Sequence, residues 1–142
     1  FLTEATMAKS ISQSWIKGDT ERMYFIVRED DVVISLTGYD VWCTLKASYT
    51  DADDAATSIQ KVIGSGITLT NHDVDGVLVV EGLITITFTA ADTKTLTPGK
   101  AYQYDIQIRT PDGDIKTLVT GQVTVGNEVT LAEAYPEPDP EP

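Results

Sequence analysis

Apolar and polar side chains alternate with a period of two through most of this chain. The plainest run is "LITITFT", which sets Ile84, Ile86 and Phe88 on one face and Thr85, Thr87 and Thr89 on the other. "DVWCTLKASY" repeats the pattern, with Val41, Cys43, Leu45 and Ala47 opposite Trp42, Thr44 and Lys46. In "YQYDIQIRTPDGDIKTLVTGQVTV" two such runs flank a turn: Tyr102, Tyr104, Ile106 and Ile108 share one face, and Ile115, Val119, Val123 and Val125 share a face on the return. Alternation with β-branched enrichment predicts half-buried strands. "TPDG" has Pro at the second and Gly at the fourth turn position, which predicts a type I turn with Gly113 in the left-handed position of a bulge. Gly121, within the return strand, leaves room for a close neighbour.

Other segments fill in the pattern. "ERMYFIVR" at 21–28 is a strand, Asp30-Asp31 a turn, and "VVISLTG" follows. "TDADDAATS" at 50–58 reads as a polar loop. "TAADTKTLTPGK" at 89–100 holds a short helical turn, with Thr89 or Asp92 as cap and Pro98-Gly99 as stop. About seven short strands separated by turn signals predict an all-β chain, a β-sandwich. The expected organisation is an N-terminal arm at 1–17, a sandwich at 18–131 and an extended Pro/acid tail at 132–142, where "YPEPDPEP" lacks the N–H groups a ladder needs. In the arm, Met7, Ile11 and Trp15 fall four apart and would share one face of a helix, although an extended lead-in fits equally. The chain opens on Phe1, so either the initiator is missing or residues 1–6 were added; "MAKS" from Met7 looks like a natural start.

Composition narrows the function. The chain has 142 residues, one cysteine and a formal net charge of −12, from 22 acidic and 10 basic residues. That length supports one domain with a core that needs no metal or disulfide, and one cysteine cannot form an internal bridge. The cations are scattered, so nucleic acid and anionic membrane surfaces are not expected partners. No apolar run approaches the roughly 18 residues of a membrane span, and no leader reads as a signal peptide.

The chemistry-bearing residues form no catalytic pattern. Asn71, Asp73 and Asp75 alternate before Gly76, like the start of a calcium loop, but the twelfth position is Gly82 where a bidentate Glu belongs. The plainer reading is an Asn/Asp/Gly turn; calcium there is the one cofactor the sequence offers. His72 has no second histidine for zinc. A triad with His72 and Ser65 has no G-x-S-x-G elbow. Cys43 lies on an apolar face, as buried cysteines do. The pairs Asp30-Asp31, Asp53-Asp54, Asp73 with Asp75, and Asp112 with Asp114 fall in turns, where Asp is favoured for its local backbone bonds, and not in the aromatic cleft a glycosidase needs. Asp105 lies on a polar strand face, and "GSG" at 64–66 has no phosphate-loop lysine after it.

The aromatic residues leave one opening. Trp42 stands opposite Cys43 and Leu45, and is either in a second apolar layer or exposed. Trp15 lies in an arm that has no core of its own. Trp15, Ile16 and Trp42 are therefore the expected partner contacts.

The order of several segments resembles a known family. "GDT" at 18–20, "LTGYDVWCTLK" at 36–46, "GSGIT" at 64–68, "DTKTLTPGKAYQYDIQI" at 92–108, "PDGDIKTLVTGQVTV" at 111–125 and "VT" at 129–130 resemble, in that order, the N-terminal domain of the tailed-phage baseplate upper protein and the stand-alone Ig-like virion proteins related to it. The resemblance implies an Ig-like antiparallel β-sandwich that serves as a mounting module of a phage particle, with no catalytic residues to carry over. Baseplate members continue into linkers and trimerising or receptor-binding regions, whereas this sequence runs into "YPEPDPEP". The resemblance thus implies a non-enzymatic virion component, such as a head decoration, a neck or collar piece, or a baseplate adaptor, made in the host cytoplasm. Other virion proteins and further copies of the chain, a homotrimer first, are the expected partners. The alternative is a carbohydrate- or receptor-binding sandwich that uses exposed aromatic residues and calcium.

Overall fold

The computed structural model describes residues 2–5, 9–48, 50–51 and 58–127. The tail at 132–142 and most of the loop at 50–58 lie outside the described residues. The strands in chain order are β1 (Leu2–Ala5), β2 (Lys9–Ser10), β3 (Gln13–Ile16), β4 (Glu21–Glu29), β5 (Val32–Val33), β6 (Asp40–Lys46), β7 (Ile59–Ile63), β8 (Gly66–Val74), β9 (Val77–Phe88), β10 (Ala101–Arg109) and β11 (Ile115–Gly126), with one helix, α1 (Ala90–Lys94), between β9 and β10.

All strands join one mixed sheet whose hydrogen-bonded path is β1-β4-β9-β8-β7-β6-β10-β11-β2, with β3 on β11 and β5 on β4. The path curls, so that the inward faces of β4, β9 and β8 meet those of β6, β10 and β11 over one core. Phe25, Ile67, Ile84, Ile86 and Phe88 from the first group share that core with Cys43, Leu45, Tyr104, Ile106, Val119 and Val123 from the second. The corner between the two halves is the short link from β7 to β8, where Gly64 and Gly66 both have positive φ, 87° and 97°. There the chain turns and resumes in parallel register, Val62 opposite Gly66 and Ile63 opposite Ile67.

The all-β expectation holds, and so do the faces of β6, β9 and β10: every residue assigned inward on them from 41 to 45, 84 to 88 and 102 to 108 is buried. The expected count of about seven antiparallel strands needs correction. Eleven strands are described, and β1 on β4, β2 and β3 on β11, and β7 on β8 are parallel pairs. The extra strands are two to four residues long, too short to display a period, and are held by backbone bonds to longer neighbours.

The turns follow their chemistry. In the β10–β11 hairpin the Gly113 N–H donates to the Thr110 carbonyl at 2.9 Å and the Thr110 N–H to the Asp114 carbonyl at 2.8 Å, with Gly113 at φ 94°. This is the type I turn with a left-handed glycine that "TPDG" predicts. Asp30 and Asp31, at φ 50° and 64°, form the turn between β4 and β5. Helix α1 carries a capping box: Asp92 N–H donates to Thr89 Oγ1 at 3.2 Å and Thr89 N–H to Asp92 Oδ2 at 2.8 Å, satisfying two N-terminal donors. Among the described residues no helix is long and apolar enough to cross a membrane.

The N-terminal segment is extended over β2 and β3, not helical, and is bound into the fold. The Ile11 N–H donates to the Thr120 carbonyl at 2.9 Å and the Lys17 N–H to the Gly126 carbonyl at 3.0 Å. The neighbour for which Gly121 leaves room is this segment: a Cβ at Gly121 would overlap the Ile11 carbonyl. Tyr104 Oη donates to that same carbonyl at 2.6 Å. The anchoring explains why a short arm without strong β periodicity holds its place.

Candidate functional site

The residues expected as partner contacts separate into three situations. Trp15 is 3% exposed and packs on Phe88, ring centroids 4.9 Å apart and planes 47° apart. The domain's core buries it, because β3 lies along β11 and points Trp15 inward. This corrects the expectation that the arm leaves its Trp uncovered. Ile16, the next residue along β3, points the other way and is 40% exposed. Trp42 is partly buried on the outer face of β6, with the Arg109 guanidinium 5.4 Å from its ring centroid. Arg109 is itself held by Asp40, to which its Nε donates at 2.9 Å.

Asn71, Asp73 and Asp75 do not converge. They lie in the β8–β9 hairpin, where strand geometry spaces Asn71 and Asp75 roughly 13 Å apart along the chain. Asn71 sits at an irregularity of the ladder, between the Thr70–Leu83 and His72–Val79 pairs, and its Oδ1 accepts the Glu81 N–H at 3.0 Å. Asp73 lies within β8, opposite Leu78. Asp75 and Gly76, at φ 50° and 82°, are the two central residues of a tight hairpin turn, the Asp-Gly preference of type I′. The three oxygen-bearing side chains thus serve a bulge, a strand and a turn. Among the described residues no group of three or more His, Cys, Asp and Glu side chains is placed to hold a metal ion.

This hairpin holds a feature that the sequence reading passed over. Strand β4 accompanies β9 only from Phe88 to Ile84, and β7 accompanies β8 only at Gly66 and Ile67. Beyond Thr70 the two strands have just each other among the described residues. The base of the projecting part is fixed from the side: Ser35 Oγ donates to the Val80 carbonyl at 2.6 Å, and the Leu36 N–H to the Glu81 carbonyl at 3.3 Å. The tip carries Val77, Leu78 and Val80, which are 65%, 57% and 49% exposed. Because successive residues of a strand face opposite ways, these side chains emerge on both faces of the hairpin. The "VLVV" run was the available signal, since an apolar run without alternation beside a two-residue turn cannot be buried on one face only.

Burial and local bonds shift several titratable groups. Burial pushes the Cys43 thiol strongly up, the negative Asp105 adding to the effect, so it is not a nucleophile near neutral pH. Burial also pushes the Tyr104 hydroxyl up, to about 12. For Asp92 burial acts upward, but the Lys61 ammonium, 2.8 Å away, and the bonds from Thr89 outweigh it and hold the carboxyl below its usual value. That pair ties β7 to α1. The outer face of β7, β6, β10 and β11 forms a shallow trough of about 400 Å³, lined in part by Trp42, Thr44, Gln60, Gln103, Gln107 and Thr120.

No family model matches the chain, and no curated protein matches it. Among solved structures it is similar to the N-terminal domain of phage TP901-1 ORF48, at 9% identity and a TM-score of 0.49, over 88% of this chain and 98% of that one.

Proposed function

We propose that this chain is a non-enzymatic structural component of a tailed-phage virion, an Ig-like module that docks on the particle as a head decoration, a neck or collar piece or a baseplate adaptor. The order of the segments between residues 18 and 130 supports the virion reading. The projecting β8–β9 hairpin carries the docking reading. A two-stranded hairpin without a further neighbour is marginal in water, and this one exposes Val77, Leu78 and Val80. Several large apolar side chains exposed together at the end of one hairpin point to an interaction site. Apolar groups on both faces suit insertion into a cleft of another virion protein better than apposition to a flat surface. Ile16 and Trp42 remain as secondary contacts, and a homotrimer is the expected assembly, countable by light scattering.

The test uses purified particles of the tailed phage that carries this sequence. Peptides of the chain are expected to co-sediment with intact particles through a density gradient, in amounts stoichiometric with other virion proteins. A photo-cross-linking residue at position 78 is expected to join the chain to a different virion protein. Peptides confined to the unassembled fraction would overturn the reading. Cross-links formed only within the chain would overturn the assignment of the hairpin.

A further inference from the structure

The trough on the outer face of β7, β6, β10 and β11 is separate from the docking hairpin, and we propose that it binds a short uncharged saccharide. This inference does not depend on the particle reading.

The trough follows from the register. Across the sheet one row reads Gln60, Thr44, Asp105, Thr120; the row to one side pairs Trp42 with Gln107, and the row to the other pairs Lys46 with Gln103. The short threonines of the middle row form a floor, and the longer side chains around them form the walls. The volume of about 400 Å³ lies in the range of small-molecule sites.

The lining selects the ligand class. Lys46 and Asp105 are the only charged residues among those lining the trough, and their signs oppose. The lining therefore carries no net charge on a chain of net charge −12, which disfavours polyanionic ligands. The remaining polar groups are amides and hydroxyls. Gln60 Nε2 donates to Thr44 Oγ1 at 3.1 Å, and Gln107 Nε2 donates to Thr117 Oγ1 at 3.3 Å. Each bond fixes the orientation of an amide while using one of its four hydrogen-bonding positions. Amides so held present donors and acceptors together, the pairing that a sugar hydroxyl, itself both donor and acceptor, satisfies. The Trp42 indole, pinned by Arg109, adds an apolar wall for the C–H face of a sugar ring. A peptide would pair its backbone at a sheet edge, whereas this site lies on a face whose backbone groups are already in the ladder.

The experiment titrates the full chain with maltohexaose, cellohexaose and chitohexaose, and with heparin as a polyanion, by calorimetry and tryptophan fluorescence. At least one neutral hexasaccharide is expected to bind and to perturb the emission of Trp42, a response that is lost in Trp42→Phe, where the buried Trp15 remains as reference. Gln103→Ala is expected to weaken that binding by about three- to tenfold, the worth of one hydrogen bond. Thr120→Arg fills the floor and is expected to abolish it. Circular dichroism checks the fold of each variant; if Thr120→Arg fails to fold, Gln103→Ala decides alone. Absence of binding to all three neutral probes, binding of heparin only, or an affinity unaffected by Gln103→Ala would each overturn the proposal.

Discussion

The β10–β11 and β8–β9 hairpins begin from similar material, alternating strands joined by turns rich in Asp and Gly, and come to opposite ends. In the first, β6 covers one edge and β2 and β3 the other, and Tyr102, Tyr104, Ile106 and Ile108 are all buried. In the second, the outer half has no such neighbours among the described residues, and its apolar residues are exposed. Each hairpin contains one ladder irregularity, and its position makes the difference. In β11 the extra residue is Leu118, between the Ile106–Val119 and Gln107–Thr117 pairs. Both Leu118 and Val119 enter the core, and among the apolar side chains of β11 Ile115 alone is turned outward. In β9 the irregularity at Val80–Gly82 falls where β4 ends its pairing, so that it detaches the tip from the core. In these two hairpins the apolar residues that reach the core lie where a further strand flanks the pair.

The largest effect expected from that contrast comes from truncating one residue in each hairpin. Ile106→Ala deletes a fully buried side chain and is expected to cost about 2–5 kcal/mol, the transfer loss plus the cavity left behind. Leu78→Ala, a comparable loss of apolar atoms at a site 57% exposed, is expected to change stability by less than about 0.5 kcal/mol. Urea denaturation of both variants measures this. Equal costs would break the comparison, because they would mean that the hairpin tip shares the core's cooperativity.

Much of this was legible in the chain, and the misses have physical causes. Alternation assigned the inward faces of β6, β9 and β10, because side-chain direction within a strand is a local property. Ile115 was assigned inward with Val119, Val123 and Val125, yet it is 62% exposed: the bulge at Leu118 shifts the phase, and no glycine or proline marks it. Trp15 appeared uncovered because its partner strand, β11, begins a hundred residues later, a contact no local pattern encodes. Gly121 was the one trace, read as space for a neighbour whose identity needed the fold. The trough was legible only as separate polar positions, since strand order alone sets Gln60, Thr44, Asp105 and Thr120 in one row.

A second effect sharpens the contrast by uncovering the first hairpin. Gly121→Ala places a methyl group against the Ile11 carbonyl, a backbone atom that cannot rotate away. The N-terminal segment must then lift, and Trp15 loses part of its cover. The expected cost is about 1–3 kcal/mol, as for other overpacked sites, with a red shift in tryptophan emission and faster hydrogen exchange at Ile11 and Lys17. The β8–β9 hairpin should exchange as before. An unchanged emission spectrum would mean that the arm contributes nothing to the cover of Trp15.

The smallest effect distinguishes the hairpins by pH. Tyr104 donates its hydroxyl proton to the Ile11 carbonyl at 2.6 Å, and burial raises its pKa from 10.0 to about 12. A phenolate could not donate there and would face a carbonyl oxygen. The folded chain therefore holds this proton more tightly than the unfolded chain does. Between pH 10 and about 12 the unfolded state loses the proton first, and stability falls as pH rises; below pH 10 both states are protonated and the contribution is intact. Tyr104→Phe is expected to cost about 1 kcal/mol at pH 7, one hydrogen bond, and to flatten the alkaline decline, which urea midpoints at pH 7, 10 and 11 would measure. Because the bond joins β10 to the arm, the decline should coincide with exposure of Trp15 and leave exchange in the β8–β9 hairpin unaltered. A decline of the same slope in the Phe variant would place the alkaline sensitivity elsewhere and remove Tyr104 from the account of how the arm is held.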